Sequence, residues 1–376
     1  MSKKMRVGLI YGGKSGEHEV SLQTALAVIR AFDAAKYEII PFYITKTGEW
    51  KSGLSLSGPV ESTEQLTFTH AAGSIESPSV PGALFANTPA VAKSTSIDQA
   101  QALSAIDVYF PLLHGTFGED GTIQGMLEMA NVPYVGAGVL SSAVGMDKVM
   151  MKKLFSSAGL PQCMYRYFSR NQWEKDREFF LMEIEIALGY PCFVKPANLG
   201  SSVGISKARN RDELIGAVAE AFRYDRKVIV EEFVDAREIE VAVLGNDEPQ
   251  ASVPGEIVSG HEFYDYRAKY SDGTSTMIIP AELSSEMAHQ LREMAVSAFQ
   301  AIEASGLSRV DFFVRRESGD ILLNEINTMP GFTPHSMYPL LWKETGKSYQ
   351  QLLDELIALA LARHEEKQSI HYTFDE

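Results

Sequence analysis

The chain has 376 residues, 45% of them hydrophobic and 22% charged, a balance typical of a globular protein with more than one domain. Its 34 basic and 49 acidic residues give a formal net charge of −15, which argues against nucleic acid as a partner. Two cysteines without metal-ligand spacing, no apolar run of ~18 residues and no signal-type N-terminus predict a cytoplasmic protein with reduced thiols and no membrane span.

The N-terminal residues alternate between strand and helix patterns. Residues 5–11 and 38–44 are apolar runs predicted as strands, and Pro41 favours an edge position for the second strand. The segment between them is a predicted helix with an apolar face made of Leu22, Ala25, Leu26, Ile29 and Phe32. This βαβ opening predicts a doubly wound parallel sheet.

Residues 46–101 interrupt that alternation. They are rich in Ser, Thr, Pro and Gly, and they are predicted as a long surface insertion that can include a short hairpin. A strand at 105–113, a helix at about 121–131 and a strand at 132–135 follow, and the glycines at 136–138 suggest a hinge between domains.

The remainder of the chain continues with both strand and helix patterns. The predicted strands are 190–195, 203–207, 227–233, 238–244, 308–314 and 320–327. The predicted helices are 210–223 and about 284–304, and residues 260–276 form a polar and aromatic loop. The first two of these strands form a predicted hairpin.

The segment from Gly8 to Ser15 matches the nucleotide-binding expression GxxxxGK[ST]. That expression is meaningful only when its first glycine ends a strand and the next residues wrap a phosphate. Here Leu9, Ile10 and Tyr11 continue the apolar run. The match is therefore interpreted as part of a strand rather than as a phosphate loop.

A stretch rich in glycine and serine, from Lys195 to Gly204, lies between two predicted strands. It is predicted as a hairpin tip whose backbone N–H groups can hold a triphosphate beside the charge of Lys195. The other interpretation, an ordinary Gly/Ser turn, fits this segment equally well. Residues 231–234 end a buried strand and could hold adenine or simply face solvent.

Two predicted strands carry Arg309-Val-Asp311 and Glu325-Ile-Asn327 and are joined by a tight turn. Alternate strand residues share a face, so antiparallel pairing of Asp311 with Glu325 or Asn327 brings all four polar side chains together. Pairing on one face requires a connecting loop of odd length or a β-bulge. Two carboxylates and an amide oxygen suit Mg²⁺, whereas the alternative is a solvated polar face.

Seven blocks in this order resemble the D-alanine–D-alanine ligases of the ATP-grasp superfamily, and the resemblance covers most of the chain. The blocks are GGKSGEHEVS (12–21), HGTFGEDGTIQG (114–125), PYVGAGVLSSAVGMDK (133–148), VKPANLGSSVGISK (194–207), FYDYRAKY (263–270), SRVDFF (308–313) and NEINTMPGFTPHS (324–336). The resemblance implies an α/β fold of three domains: a Rossmann-like N-terminal domain (1–136) and two α+β domains (137–230 and 231–376) that clasp ATP.

The resemblance also implies a role for each residue at a matching position. The ATP-binding residues would be Lys148, Lys195, Ser201, Ser202, Glu231, Glu232, Val234, Glu238, Lys269 and Asn324, although some relatives have lysine at position 232. Asp311, Glu325 and Asn327 would bind two Mg²⁺ or Mn²⁺. The residues that bind two D-alanines would be Glu17, His114, Arg309, Gly331, Ser336 and Met337. The catalytic residues would be Glu17, Ser201, Tyr270, Arg309 and Gly331.

The implied reaction activates one D-alanine as an acyl phosphate, which the amine of a second D-alanine attacks. Arg309 and the Gly331 N–H would stabilise the oxyanion, and the loop at 260–276 would close over the site. Tyr270 would bond Ser201 and stays neutral near pH 7. A histidine at this position could become cationic and repel the ammonium of the incoming D-alanine. The neutral tyrosine does not, so it favours D-alanine over D-lactate as second substrate.

Three other functions remain open from the sequence. The chain could make a D-alanine–D-lactate ester, it could be another ATP-grasp enzyme such as a carboxylase, or it could be a nucleotide-binding regulator without catalysis. The resemblance further implies a homodimer. Release of phosphate from ATP that depends on D-alanine would separate these alternatives.

Overall fold

The computed structural model describes residues 3–56, 59–67, 106–200, 203–258 and 276–371. The first elements are β1 (Met5–Gly12), α1 (His18–Ala31), β2 (Tyr37–Ile44), β3 (Trp50–Ser52), a 3₁₀ turn (Thr63–Leu66), β4 (Val108–Pro111), α2 (Thr122–Met129) and α3 (Val139–Met146). The middle elements are α4 (Lys148–Ser157), β5 (Tyr165–Ser169), α5 (Arg170–Lys175), α6 (Arg177–Ala187), β6 (Cys192–Pro196), β7 (Ser206–Ala208), α7 (Arg211–Ala221) and β8 (Lys227–Glu232). The last are β9 (Ala236–Gly245), β10 (Gln250–Ala251), β11 (Gly255–Val258), β12 (Thr276–Ile278), α8 (Ser285–Ala301), β13 (Gly306–Arg315), β14 (Ile321–Asn327), α9 (Met337–Glu344) and α10 (Tyr349–Gln368).

The N-terminal sheet has the strand order β3-β2-β1-β4. Its central strand β1 pairs in parallel with β2 and β4, and β3 adds an antiparallel edge. Val7 and Leu9 of β1 have no exposed surface, because Leu22 and Ala25 of α1 pack in the same core. The predicted βαβ opening is therefore confirmed.

Pro41 does not mark an edge strand, since β2 has neighbours on both sides. The reason lies in the shortness of β3, whose pairing with β2 ends at Phe42 and Ser52. The Pro41 carbonyl faces this side and accepts a hydrogen bond from the N–H of Gly53 (2.9 Å). The missing N–H of Pro41 therefore falls beyond the ladder, where it removes no strand hydrogen bond.

The beginning of the predicted surface insertion packs on the core. Val60 and Leu66 are 6% and 1% exposed, and the Tyr11 hydroxyl donates to the Leu66 carbonyl (3.0 Å). Scattered apolar residues in a Ser/Thr-rich segment were enough to fix this part, and β3 supplies the hairpin that the sequence allowed. Residues 57–58 and 68–101 of the insertion lie outside the described residues.

The strand predicted at 132–135 is reduced to one parallel bridge between Tyr109 and Tyr134. Two backbone hydrogen bonds hold it, from the Tyr109 N–H to Pro133 and from the Val135 N–H to Tyr109. Pro133 lacks an N–H group, so the ladder cannot extend toward the N-terminus of the segment.

The other two sheets contain the remaining predicted strands. The middle sheet has the order β5-β8-β6-β7, and the antiparallel β6–β7 pair is the predicted hairpin. The C-terminal sheet runs β12-β11-β9-β13-β14, with β10 paired to β9. The helices predicted at 210–223 and about 284–304 are confirmed as α7 and α8.

One apolar core crosses the predicted domain boundaries, whereas another lies within the middle predicted domain. One core joins Leu9 of β1 with Leu307 of β13, Trp342 of α9 and Leu356 of α10, whereas the middle sheet packs around its own cluster with Val230. The first and third predicted domains therefore share a core. The boundaries at 136 and 230 stay predictions. Within the described ranges, none of the helices combines the length and apolar character that a bilayer crossing requires.

Candidate active site

The pairing of β13 with β14 brings together the polar residues predicted to bind metal. Asp311 lies opposite Glu325, and Arg309 lies opposite Asn327. Between Asp311 and Phe312 the register shifts, so that Asn324 is the extra residue of a β-bulge. The predicted pairing on one face is confirmed, and of the two connections that it allowed, an odd-length loop or a β-bulge, the structure has the bulge.

Arg309 is held by two carboxylates. Its Nε and Nη2 donate to the two oxygens of Asp311, each at 2.7 Å, and its Nε lies 3.0 Å from Glu240 Oε2. Burial alone would lower the pKa of Arg309, but Asp311 and Glu240 outweigh it and raise this pKa well above its usual value. Glu240, on the neighbouring strand β9, was not identified from the sequence because only the β9–β13 register places it there.

The donor set at this hairpin fits a hard divalent cation. Each carboxylate oxygen of Asp311 has a second lone pair besides the one facing Arg309. Glu325 and Asn327 add a further carboxylate and an amide oxygen on the same face. No group of three or more His, Cys, Asp or Glu side chains suited to a metal occurs in the part of the chain that the structure describes. A metal here would therefore need Asn327 and groups from a bound substrate.

Lys148 connects this hairpin to the glycine-rich turn. It begins α4, after Asp147 caps the helix by accepting hydrogen bonds from Val149 and Met150. The Lys148 Nζ donates to the Leu199 carbonyl (2.9 Å) and lies 3.6 Å from Glu325 Oε2. Its ammonium is therefore placed between the predicted phosphate loop and a predicted metal ligand.

Lys195 lies at the base of the glycine-rich turn, near the C-terminal end of β6. It is 8% exposed, and its Nζ donates to Glu231 Oε2 on the adjacent strand β8 at 2.5 Å. At the far side of the turn, Gly204 has φ +73°, and a Cβ there would lie 2.8 Å from the Tyr224 ring. The turn therefore requires glycine at this position. Ser201 and Ser202 lie outside the described residues, as do Lys269 and Tyr270.

Glu231 lies in a buried ion cluster that the sequence did not reveal. It is 2% exposed, and its Oε1 lies 3.1 Å from Lys152 Nζ while Oε2 accepts from Lys195. Burial alone would raise the Glu231 pKa, but the two lysines outweigh it and lower the pKa to about 2. Both oxygens of this predicted adenine-binding residue therefore contact lysine. The sequence signal that could have identified Lys152 is its position four residues after Lys148, on the buried face of α4.

The depressed pKa makes acid stability a test of this cluster. A carboxylate whose pKa is lowered in the folded state stabilises the fold at pH values above its unfolded-state pKa. For Glu231 this stabilisation is lost as the pH falls toward 2. We expect Glu231→Gln to reduce the free energy of unfolding at pH 7, and to reduce it less at pH 3. Denaturant titrations at both pH values measure the difference. The exposed Glu174→Gln is the control, with a change below about 0.5 kcal/mol. An equal loss at both pH values would contradict the ion cluster.

The other predicted adenine residues lie around the end of β8. Glu232 Oε1 accepts from the Met164 N–H (2.9 Å) and from Arg315 Nη2 (3.2 Å). Val234 is half-buried, and Glu238 pairs with Phe313 across the β9–β13 ladder. Glu232 thus joins two sheets, and a contact to adenine stays a prediction.

Two loops at one edge of the N-terminal sheet bring together Glu17, His114 and Glu119. β1 and β4 are parallel, so the segments after them begin at the same edge and bring Glu17 close to His114. The Ser15 hydroxyl donates to the His114 carbonyl (2.8 Å) and accepts from the Glu17 N–H (3.1 Å). A Cβ on Gly115 would lie 2.6 Å from Glu17 Oε2, and one on Gly200 would lie 3.6 Å from it. Glu17 therefore faces the glycine-rich turn.

Glu119 belongs to this group although the sequence did not identify it. The His114 Nδ1 lies 3.5 Å from Glu119 Oε1, and its Nε2 lies 3.1 Å from Thr24 Oγ1. Burial is the main cause that raises the pKa of Glu119 to about 6, with Glu17 adding to it. Burial would lower the pKa of His114, but the carboxylates of Glu119 and Glu17 outweigh burial and raise this pKa. His114 is buried, and the half-buried Glu119 and Glu17 lie beside it. The block HGTFGEDG (114–121) contains His114 and Glu119, but only the folded loops bring Glu17 to them.

The predicted substrate-binding residues Gly331, Ser336 and Met337 surround the start of α9. Ser336 is the N-cap residue, and the helix begins at Met337. The Ser336 hydroxyl accepts from the Thr333 N–H (3.0 Å), and a Cβ on Gly331 would lie 3.0 Å from the same oxygen. The first N–H groups of a helix favour an anion, so a carboxylate can be held here.

The rejected nucleotide-binding expression lies inside the first strand. β1 continues to Gly12, and Gly8 faces Tyr109, whose ring would be 2.7 Å from a Cβ at that position. Gly12 has φ +92° and ends the strand. No phosphate loop can form across residues 8–13, as predicted.

Comparisons with known proteins cover nearly the whole chain. A family model described as D-ala D-ala ligase N-terminus matches residues 6–137, and one described as D-ala D-ala ligase C-terminus matches residues 154–358. The D-alanine–D-alanine ligase of Geobacillus thermodenitrificans is 56% identical over 373 residues, with 99% of this chain and 100% of that protein covered. That of Bacillus licheniformis is 57% identical over 371 residues, with 99% and 100% covered.

Solved structures agree with these sequence matches. The D-alanine–D-alanine ligase from Coxiella burnetii superposes with a TM-score of 0.80 at 36% identity, covering 97% of both chains. The VanG D-Ala:D-Ser ligase from Enterococcus faecalis superposes with a TM-score of 0.80 at 38% identity, covering 95% of this chain and 100% of that one.

Proposed function

The chain belongs to the D-alanine–D-alanine ligase family, and from this premise we propose that it joins two D-alanines into D-alanyl-D-alanine through a D-alanyl phosphate. The fold is the α/β ATP-grasp fold of that family, and the protein is an ATP-dependent ligase that acts in cell-wall peptidoglycan synthesis. The observation that carries the proposal is the β13–β14 pairing, which assembles Arg309, Asp311, Glu325 and Asn327 beside Lys148.

The nucleotide would lie between the glycine-rich turn and this hairpin. Lys148 and Lys195 would neutralise phosphate charge, with Ser201, Ser202 and Lys269 as further contacts and Glu231, Glu232, Val234, Glu238 and Asn324 around the rest of ATP. Asp311, Glu325 and Asn327 would hold two Mg²⁺ or Mn²⁺. When bound, these ions supply charge neutralisation for phosphoryl transfer.

The two substrates would lie at two places, one beside Glu17 and the other at the start of α9. Glu17, beside His114, supports binding of the ammonium of the first D-alanine. The N-terminus of α9 at Ser336 and Met337 supports binding of the carboxylate of the second. Arg309 and the Gly331 N–H would stabilise the oxyanion formed when the second amine attacks, and Tyr270 would close the site against water.

The formal charge of −15 supports an enzyme without a nucleic-acid partner. We also propose that the enzyme acts in the cytoplasm as a homodimer, with domains 1–136, 137–230 and 231–376. Sedimentation at two protein concentrations would test the dimer.

The direct test of function is release of inorganic phosphate from ATP and Mg²⁺. We expect release only when D-alanine is present, together with one D-alanyl-D-alanine per phosphate. Phosphate release without D-alanine, or D-alanine binding without turnover, would contradict a ligase.

The identity of the second substrate needs a competition assay. Similarity to a D-Ala:D-Ser ligase makes D-serine a specific alternative, and D-lactate is the ester-forming one. Because a tyrosine side chain ordinarily has a pKa of about 10 and so carries no cation, we expect D-alanyl-D-alanine to predominate at pH 7–8 over both competitors at equal concentration. We expect Tyr270→His to raise the ester share as pH falls through the imidazole pKa. Ester or D-serine product in excess at neutral pH would overturn the assignment.

A further inference from the structure

Lys152 is a buried lysine next to Lys148 and Lys195, the two lysines that we propose neutralise phosphate charge. It lies on α4, one turn after Lys148, and it is 1% exposed. Its ammonium lies 3.1 Å from Glu231 Oε1, and it donates to the Cys163 sulfur at 3.5 Å and to the Asn324 carbonyl at 3.4 Å. An ammonium has three donors, so these three partners use them all. Lys152 therefore cannot contact a nucleotide itself.

The position of Lys152 affects the charge that Lys195 presents. Glu231 accepts from Lys195 through one oxygen and contacts Lys152 through the other. Two cations and one anion leave a net charge of +1. Lys195 is the more exposed cation, at 8% against 1% for Lys152. Without Lys152, Glu231 would neutralise Lys195, and the net charge beside the glycine-rich turn would fall to zero.

Lys152 also connects two sheets. Glu231 belongs to β8 of the middle sheet, whereas Asn324 is the bulge residue of β14, directly before Glu325. The backbone around Lys152 reinforces this connection, since its carbonyl accepts from Gln162 Nε2 at 2.9 Å. One ammonium thus links β8 of the middle sheet to β14, the strand that carries the predicted metal-binding residues Glu325 and Asn327.

We propose that Lys152 is a positioning residue for the nucleotide, which balances the charge of Glu231 so that Lys195 remains available to the phosphates. This inference rests on the proposed ATP-dependent ligase function. Burial would lower the Lys152 pKa, but Glu231 and Cys163 outweigh it and raise the pKa, so the ammonium stays charged at neutral pH.

The test compares Lys152→Gln with Lys153→Gln. Glutamine keeps N–H donors but removes the charge, and Lys153 is an exposed lysine on the other face of the same helix, stacked on Tyr167. Calorimetric titration with ADP and Mg²⁺ gives Kd, and steady-state assays give KM for ATP and for D-alanine. For Lys152→Gln we expect Kd for ADP and KM for ATP to rise tenfold or more, with KM for D-alanine within twofold of wild type. We expect Lys153→Gln to leave all three within twofold.

The double variant Lys152→Gln/Glu231→Gln separates charge balance from simple loss of structure. It restores the net charge to +1 and buries no unpaired carboxylate, so we expect its Kd for ADP to lie within about threefold of that of Glu231→Gln, the reference that accounts for any direct contact of Glu231 with the nucleotide. If Lys152→Gln does not fold, the comparison of the double variant with Glu231→Gln decides: a Kd for ADP within about threefold supports the proposal, and a further loss of tenfold or more overturns it. A lower kcat with unchanged Kd for ADP and KM for ATP in Lys152→Gln would also overturn it.

Failure of this inference is distinguishable from failure of the proposed function. If wild-type protein binds ADP and releases phosphate only with D-alanine, the ligase function stands whatever Lys152 does. If wild-type protein shows no D-alanine-dependent release, the function fails. The ADP titrations of the variants would then still report whether Lys152 controls the nucleotide site.

Discussion

Glu325→Gln is expected to reduce turnover of D-alanine by about a thousandfold or more, with the fold intact. Glu325 lies opposite Asp311 and 3.6 Å from Lys148 Nζ, so it combines a proposed metal contact with a phosphate-binding lysine. Glutamine keeps the volume but removes one of two carboxylates from the proposed metal site. Loss of a single preorganised electrostatic group in an active site costs about 10²–10³ in kcat, and a metal ligand should cost at least that.

The matched control for this prediction is Glu317→Gln. Glu317 is an exposed glutamate in the turn at the other end of the same hairpin. We expect its kcat, KM and thermal unfolding to match wild type. Thermal unfolding of Glu325→Gln should also match, because Glu325 is half-buried rather than sealed in the core. If Glu325→Gln retains more than a tenth of wild-type kcat at saturating Mg²⁺, the proposed metal site is wrong.

Arg309→Met is expected to damage both stability and catalysis. The substitution leaves Asp311 and Glu240 close together without the guanidinium that contacts both. Removal of one partner from a buried ion pair costs about 3–5 kcal/mol of unfolding free energy. Loss of the proposed oxyanion contact should lower kcat by about a hundredfold or more.

The stability loss in Arg309→Met should depend on pH in a defined direction. Without the cation, burial and mutual repulsion raise the folded-state pKa of the remaining carboxyls above their unfolded values. The folded variant then binds more protons than the unfolded chain, so its stability rises as pH falls. Denaturant unfolding should therefore show a smaller deficit against wild type at pH 5 than at pH 8.

Arg316→Met is the control for the arginine. Arg316 is an exposed neighbour whose Nε lies 3.3 Å from Asp235. An exposed ion pair contributes about 0–1 kcal/mol, so stability and kcat should change little at either pH. A pH-independent deficit in Arg309→Met, or one no larger than in Arg316→Met, would contradict the buried ion network.

The strand patterns by themselves determined most of the fold that surrounds the site. The alternation of Arg309 with Asp311, and of Glu325 with Asn327, fixed which side chains share a face. The β-bulge at Asn324 is one of the two connections that this pairing allowed. The apolar run through Gly8 excluded a phosphate loop, and β1 continues to Gly12 as expected. These inferences succeeded because side-chain direction in a strand depends on local backbone geometry.

Only the tertiary structure decided which charges meet. Lys152 with Glu231, Arg309 with Glu240, and His114 with Glu119 are pairs whose partners come together through sheet register, helix packing or loop folding. The sequence showed each residue but not its burial, and a charge is retained in the interior only when a partner is placed beside it. The packing of Val60 and Leu66 on the core likewise depended on distant contacts. Sequence periodicity thus fixed the faces of the strands, whereas the assembled sheets fixed the electrostatics of the site.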